Sequence, residues 1–533
     1  MSIGSAPFPT ICFTSSWASC ATPSPSFARP RCPGDGGACG SMRSNTQVRP
    51  GADPGQFVDW VLAQRGDADL ESLSISFSRS SLVYTSQEKV NGLLRYAMQR
   101  VVKSFRLALP VLRVRATSSS SPLRVDGPLA VVLPDHGRMT SISLSLKARY
   151  RIQLPVSASA MYEALTELKL TNVSFFGDED DCSAAGRTLG DFVSSCCPRL
   201  RKLDLLLLKG LAQLAIRSET LETFKLRSAE DLRVLDVAAP NLGVLELHDC
   251  FGDGSDDVDN DEHVTVARTR IIVSSSRLQE IGIRHLYWWC RRPDLEIQDL
   301  TSVCRISSLR VNMHGQYYDR ATDVGFWLLE KCPSVEHLDV ELEHQPSPSS
   351  VIEGHHHVIA DLTLEDAAPF ASVRSMDITM SAHQFQDCQL VSSIFALLLK
   401  CPRLRSLSIR IVDEDAATSW MPMPRKCFFC DDQYAWTDHR AISLESLEDV
   451  RLIGFGGADE DMDLVRLLFS SSKNSIKSMT LEEITKTSGT VSLKRMTAED
   501  DDGTETIDQK LMNIPAVDRG RWHFGDAIYT WTC

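Results

Sequence analysis

Apolar residues recur along this chain in one spacing: an apolar position, a second three residues later, and a third two residues after that. The segment Leu211 to Leu247, LAQLAIRSETLETFKLRSAEDLRVLDVAAPNLGVLEL, holds four copies, starting at Leu211, Leu221, Leu232 and Leu242. Five more precede it (Leu70-Leu73-Ile75, Val102-Phe105-Leu107, Met139-Ile142-Leu144, Leu165-Leu168-Leu170, Leu200-Leu203-Leu205). Seven follow (Leu278-Ile281-Ile283, Ile306-Leu309-Val311, Val335-Leu338-Val340, Val373-Met376-Ile378, Leu404-Leu407-Ile409, Leu447-Val450-Leu452, Ile476-Met479-Leu481). With 43% apolar residues one match means nothing, but sixteen in succession, most of them 26 to 43 residues apart, define a repeat. A repeat that offers a short strand cannot bury its apolar face alone, so neighbouring copies must stack. The fold class expected is α/β, a leucine-rich-repeat solenoid of short parallel strands with helices or strands on its outer face.

In an extended strand the last two apolar positions of a copy point inward together, and the residue between them points out. The outward set is Lys169, Asp204, Lys225, Asp236, Glu246, Arg310, Asp339, Asp377 and Arg451, expected to line the inner face of the curve and to bind a protein. Helix-like stretches that end at a Cys-Pro pair, DFVSSCCPRL at 191–200, FWLLEKCPSV at 326–335 and IFALLLKCPRL at 394–404, lie between strands. Proline disfavours helix at the preceding residue and has no N–H to donate, so each helix stops there. Copies in the central block are only 10 or 11 residues apart, too little chain for a full circuit with a helix. Alternate copies there should therefore fall on opposite faces, giving a local period of 20 or 21 residues with strand on both sides.

The domain reading is a disordered Ser/Pro/Cys-rich tail over 1–55, a repeat solenoid over 56–420, further repeats over 421–490 and a C-terminal tail segment over 491–533. The formal net charge of −14 gathers in runs at 177–181, 252–262, 458–463 and 498–503, read as solvated loops that repel phosphate. Nucleic acid is not an expected partner. No apolar window approaches the ~20 residues of a membrane span. Cys197, Cys332 and Cys401 are read as buried reduced thiols, consistent with a cytoplasmic or nuclear protein.

Candidate chemistry is thin. Cys427 and Cys430 near His439 lack a second ligand pair for zinc, and His355-His356-His357 sits in a polar stretch without fixed geometry. Asp257, Asp259 and Asp261 begin a calcium-like loop, but Glu262 and Arg268 stand where Gly and a bidentate Glu are needed. Tyr287-Trp288-Trp289 could anchor a partner but suits packing between repeats better. No phosphate-loop, nucleophile-elbow or zinc-protease motif occurs, so no catalysis, metal or cofactor is expected.

Several words of the sequence, NGLLRYAMQRVVKSFRLALP at 91–110, LTELKLTNVSF at 165–175, CCPRLRKLDL at 196–205 and APNLGVLELHDC at 239–250, resemble plant F-box proteins with leucine-rich repeats and an FBD domain, of the grass type. FBD-like text follows at 443–484, and the closing LMNIPAVDRGRWHFGDAIYTWTC resembles that family's C-terminal end. The resemblance implies a repeat domain that holds a protein for ubiquitylation, joined to an F-box that docks on the adaptor subunit of a cullin-based ligase. The family's F-box opens with LPDDLL-type text and continues with an SRRWR-like segment, and neither occurs in residues 1–55. Adaptor binding is thus expected only if an F-box is supplied; otherwise the chain is an interaction scaffold or a truncated relative.

Overall fold

The outward and inward alternation of the repeats appears directly as strands. The computed structural model describes residues 10–14, 69–76, 87–109, 129–146, 150–157, 159–175, 188–229, 231–250, 269–284, 293–312, 324–343, 370–381, 394, 397–412, 443–457, 459–472, 475–483, 507–514, 520–525 and 528–533. It is a mixed α/β chain, mostly strand with few helices. Up to residue 250 the strands are β1 (Thr10–Thr14), β2 (Leu70–Ser76), β3 (Val101–Ala108), β4 (Leu129–Val132), β5 (Ser141–Ser145), β6 (Tyr150–Gln153), β7 (Glu167–Ser174), β8 (Lys202–Lys209), β9 (Gln213–Arg217), β10 (Thr223–Arg227), β11 (Val234–Ala238) and β12 (Val244–His248). Beyond it are β13 (Arg270–Ser274), β14 (Glu280–Arg284), β15 (Asp294–Ile297), β16 (Arg305–Asn312), β17 (His337–Glu343), β18 (Ser375–Ser381), β19 (Ser406–Val412), β20 (Asp449–Ile453), β21 (Ser478–Glu482), β22 (Arg521–Phe524) and β23 (Ile528–Thr532). The helices are α1 (Gln87–Arg100), α2 (Leu189–Cys196), α3 (Val324–Lys331), α4 (Asp459–Ser471) and α5 (Ile507–Met512).

Two units result, residues 1–278 with 293–299 and residues 279–292 with 300–533. The division falls inside the span read as one repeat domain, 56–420, because the chain returns at 293–299 to add β15 to the first unit. In that unit β2, β3, β5, β7, β8, β10 and β12 pair in parallel in this order. A second parallel sheet runs β9-β11-β13-β15. The central copies thus alternate between two sheets, as their short spacing requires: Leu214 and Leu235 are register partners in one, Phe224 and Leu245 in the other. In the other unit β14, β16, β17, β18, β19, β20 and β21 pair in parallel, and the β22–β23 hairpin closes the ladder antiparallel to β21.

The repeat leucines form the core. Leu203, Leu205, Phe224, Leu226, Leu245 and Leu247 are fully buried, as are Met479 and Leu481 in the other unit. Burying such a side chain stabilises by about 1.5–3 kcal/mol relative to leaving it wet. One position departs from the expected pattern: Val102 is 37% exposed and Val101 takes its place inside. An extra residue in β3 between the Leu70–Val101 and Ser72–Ser104 pairs is the cause, since a bulge shifts which side chain faces in.

Two helices are fastened to strands through polar side chains. Helix α2 begins in a capping box, with Thr188 and Asp191 each bonding the other's backbone N–H, and ends before Pro198 as read. Its Ser194 hydroxyl accepts from the Arg217 N–H on β9, 2.9 Å away. A Cβ on Gly190 would stand 2.0 Å from the Ala215 carbonyl oxygen, so only glycine lets α2 sit this close to β9. Helix α1 treats β4 likewise: the Asn91 amide accepts from Val132 N–H at 2.9 Å and donates to the Ala130 carbonyl at 3.2 Å. Unpaired strand edges invite foreign strands, and these side chains occupy them.

Two sequence expectations change. Within the segment read as a tail, 1–55, Thr10–Thr14 is a strand antiparallel to β2; the rest lies outside the described residues. The acidic run at 458–463 is not a loop, because α4 starts at Asp459 and buries Met462, Leu464 and Val465. Acidic residues suit a helix N-terminus, where backbone N–H groups are unpaired. Within the C-terminal tail segment, 491–533, the described residues beyond 507 pack into the sheet: Trp522 and Trp531 are register partners, buried with their rings edge-on to Phe469 of α4.

Candidate protein-binding face

Strand pairing in register arranges the outward residues of successive repeats into rows. In the first unit the middle row runs Ser74, Arg106, Ser143, Lys169, Asp204, Lys225, Glu246. Four of the nine candidate residues, Lys169, Asp204, Lys225 and Glu246, therefore stand side by side with alternating charge. Neighbouring strands are about 4.8 Å apart, so these side chains reach one another. The Lys169 ammonium is 2.7 Å from Asp204 Oδ2, Lys225 pairs with Glu246, and the Arg227 guanidinium, two residues along β10, is 2.8 Å from Asp204 Oδ1. Although they face outward, the Asp204 and Glu246 side chains are only 22% and 13% exposed.

Burial alone would raise the Asp204 carboxyl, but hydrogen bonds from Lys169 and Arg227, with their charges, outweigh it and hold the group below the ordinary carboxylate value. The row is consequently neutralised from within along β7 to β12. It is a polar, shape-defined surface and not a field of free charge.

Asp236 does not join this row. Its strand, β11, lies in the second sheet, where Arg217 of β9 grips both its carboxylate oxygens. The separation follows from the alternation of the central copies, which carries every other outward residue to the other sheet.

In the second unit Asp339, Asp377, Ser408, Arg451 and Thr480 share the middle row. Here like charges are neighbours, since Asp339 and Asp377 are direct register partners. Arg305 bridges to this pair from the row before, with one nitrogen 2.8 Å from Asp339 and another 3.8 Å from Glu280. Burial, then the Asp377 carboxylate, raise the Asp339 carboxyl; Arg305 opposes them and does not prevail. Arg451 turns to Glu482, 2.6 Å away. Arg310 falls one row on, beside Glu341, because β16 carries an extra residue between Ile306 and Leu309. Ser308 takes φ of +57° at this bulge, and Gly282 leaves room for the Ser307 carbonyl, which a Cβ would meet at 2.4 Å.

The sequence reading missed Arg106, Arg227, Arg305 and Arg284, the last of which pairs with Glu341 at 2.6 Å. The same spacing rule picks out Arg106, between Phe105 and Leu107. Arg227 sits two residues from the middle position Lys225, and the period of two in a strand places it on the same face, whereas Arg305, five residues before Arg310, is aligned with His337, two residues before Asp339, only through the bulge in β16.

Other candidates fare differently. Cys427, Cys430, His439, His355 to His357, Asp257 to Asp261 and Tyr287 to Trp289 lie outside the described residues. Cys197, Cys332 and Cys401 are buried free thiols. Burial pushes Cys332 and Cys401 up to about 12, so these thiols stay protonated and unreactive near neutral pH. Cys250, which follows β12, points its thiol at the Leu226 and His248 carbonyls, 3.1 Å from each, and so ties one repeat to its neighbour. No group of metal ligands occurs among the described residues, and no helix there is long and apolar enough to cross a membrane.

No family model matches the chain, and no solved structure matches it. The chain is similar to a putative F-box/FBD/LRR-repeat protein of Arabidopsis thaliana, with 23% identity over 433 residues that cover 79% of this chain and 76% of that protein.

Proposed function

We propose that the paired strands are the coils of a leucine-rich-repeat solenoid and that the chain is a protein-binding module of the kind that serves as the substrate receptor of an F-box ubiquitin ligase. The target protein rests on the outward rows of the parallel sheets. One observation carries this: residues 21 to 35 apart in sequence meet in register as Lys169, Asp204, Lys225 and Glu246, backed by fully buried leucines. Such a row is rigid before a partner arrives, which limits the ordering entropy lost on binding. The reading is of binding without catalysis or cofactor, since the row presents paired charges on a flat sheet. The similarity to the Arabidopsis F-box/FBD/LRR-repeat protein supports the same reading. Nucleic acid and membrane are not partners in this proposal, and the protein works in the cytoplasm or nucleus.

Contact with the cullin-ligase adaptor requires an F-box supplied to the chain. A second reading is a non-ligase scaffold or a truncated relative unable to bind the adaptor. A photo-crosslinking residue at Thr223 of the row-bearing sheet, compared with one at Arg233 beside the second sheet, tests the binding face. Adducts with one protein from Thr223 alone, and loss of that protein's binding by the purified chain on Glu246→Arg, are expected. Adducts from both positions equally would discard the face. Copurification of the adaptor with the chain by itself would discard the scaffold reading.

A further inference from the structure

The face described above divides into two chemically different halves: between β2 and β5 ion pairs such as Lys103–Glu71 and Arg138–Asp69 lie off the middle row, and that row itself holds none. From β7 to β12 each long charged side chain of the middle row has an opposite charge beside it. From β2 to β5 the row is Ser74, Arg106, Ser143. Arg106 is exposed and makes no ion pair or side-chain hydrogen bond with any described residue. Its nearest row cation, Lys169, is already held by Asp204.

Around Arg106 the surface is almost wholly hydroxyl. Ser74 and Ser143 flank it one strand away on either side, and neither hydroxyl has a partner among the described residues. Ser72, Ser104, Ser141 and Glu167 form the row before it, with the Ser104 and Ser72 hydroxyls 2.7 Å apart and the Ser141 hydroxyl donating to the Glu167 carboxylate at 3.4 Å. The Ser74 and Ser143 hydroxyls are the donors left to a ligand of the guanidinium, since Ser72, Ser104 and Ser141 are already bonded and Glu167 turns to Ser141 and not to Arg106. A guanidinium presents a planar fork of N–H donors that matches a carboxylate in two-point geometry, and serine hydroxyls can supply the remaining bonds.

We propose that this hydroxyl-lined patch centred on Arg106 is where the target docks an acidic segment, with an Asp or Glu carboxylate seated on the guanidinium between Ser74 and Ser143. The inference rests on the protein-binding reading of the face and specifies its partner. Charge balance decides between anions: Arg106 brings a single positive charge, which a carboxylate matches, whereas a phosphoserine brings about 1.5 to 2 negative charges and would hold the excess near the Glu167 carboxylate of the adjoining row.

The test uses the immobilised full chain and three libraries of labelled twelve-residue peptides with random flanks, whose fixed central residue is Glu, Gln or phosphoserine. Retention of the Glu library over the Gln library is expected, and Arg106→Gln should reduce it about tenfold, the loss of one charge-assisted two-point contact. Arg106→Lys should recover part of the binding, as a point charge without the fork. Lys202→Gln, the same charge change on β8 outside the patch, should leave retention as it was. Stronger retention of the phosphoserine library, or equal retention of the Glu library by Arg106→Gln, would overturn the proposal. Retention of Glu and Gln libraries alike, abolished by Thr223→Trp on β10, would keep the binding face while removing Arg106 as its anchor. No retention of any library by the parent chain would remove both.

Discussion

The middle rows of the two units are built alike and charged differently. In the first, positive and negative residues alternate from Lys169 to Glu246, and every charge finds its opposite on the adjoining strand. In the second, Asp339 and Asp377 adjoin, and a single arginine from the row before, Arg305, offsets them while also facing Glu280. Cross-strand pairs of opposite sign stabilise a sheet by a few tenths to about 1 kcal/mol, and like pairs cost a similar amount. One row therefore holds itself together, while the other stores a small repulsion that a basic partner group would relieve. The backbone dictates where side chains meet; which charges meet is a free choice at each repeat.

The largest effect should come from removing what both rows depend on, the buried aliphatic layer behind them. Leu245→Asp would bury a carboxylate between Phe224 on one side and the interior on the other, at a cost of about 3 to 5 kcal/mol. Amide hydrogen exchange should show protection lost on β10 and β8 as well as on β12, because each strand's backbone is bonded to the next. Unchanged melting would contradict placing Leu245 in the core. Protection lost at β12 alone would show that the row is not cooperative, which would weaken the comparison at its base.

Next in size is Asp204→Ala. Asp204 accepts from both Lys169 and Arg227, and the Arg227 Nε is already buried without a partner, so the substitution leaves two cations facing each other. Hydrogen bonds to charged groups are worth about 1.5–3 kcal/mol, and partial exposure with solvent screening brings the expected loss to about 1–2 kcal/mol. A fall in melting temperature, partly reversed when Lys169→Met is added, is the expected result. An unchanged melting temperature would show that the alternation in the first unit contributes nothing, and the contrast with the second would then be one of appearance only.

Much of this architecture was legible in the sequence because it follows from spacing. The inward positions, the helix stops at Pro198 and Pro333, and the alternation of the central copies between two sheets all depend on how far a strand reaches and which way its side chains point. Three kinds of feature were not legible. Bulges in β3 and β16 insert a residue without disturbing the local pattern, so Val102 and Arg310 were placed one step wrong. Sheet membership changes with each central copy, so Asp236 was grouped with residues on a sheet it does not share. Charge pairing joins residues separated by 21 to 35 positions, as Lys225 to Glu246 and Lys169 to Asp204, and only the register reveals it. The additional strands β4, β6, β13 and β15 carry no full repeat signature, and their pairing comes from the tertiary context.

The smallest effect is the most discriminating, because the two rows should respond to pH with opposite sign. Asp204 has a lowered native value, so in the first unit its contribution is complete above the ordinary carboxylate range near 3.9 and is lost as the pH falls through the lowered native value. Asp339 has a raised native value, so the native second unit holds a proton that the unfolded chain has released. Its contribution is present below the ordinary value and lost as the pH rises through the raised one. Opening free energies from amide exchange at Leu205 and at Val340, corrected for intrinsic rates and followed from acid toward neutral pH, should therefore rise at the first and fall at the second. Asp377→Asn removes the like charge beside Asp339 and should raise stability near neutral pH by about 0.5 kcal/mol while flattening the slope at Val340. Slopes of the same sign at both amides would mean that Arg305 neutralises the acidic pair as fully as Lys169 and Arg227 neutralise Asp204, and the two rows would then be electrostatically equivalent despite their sequences.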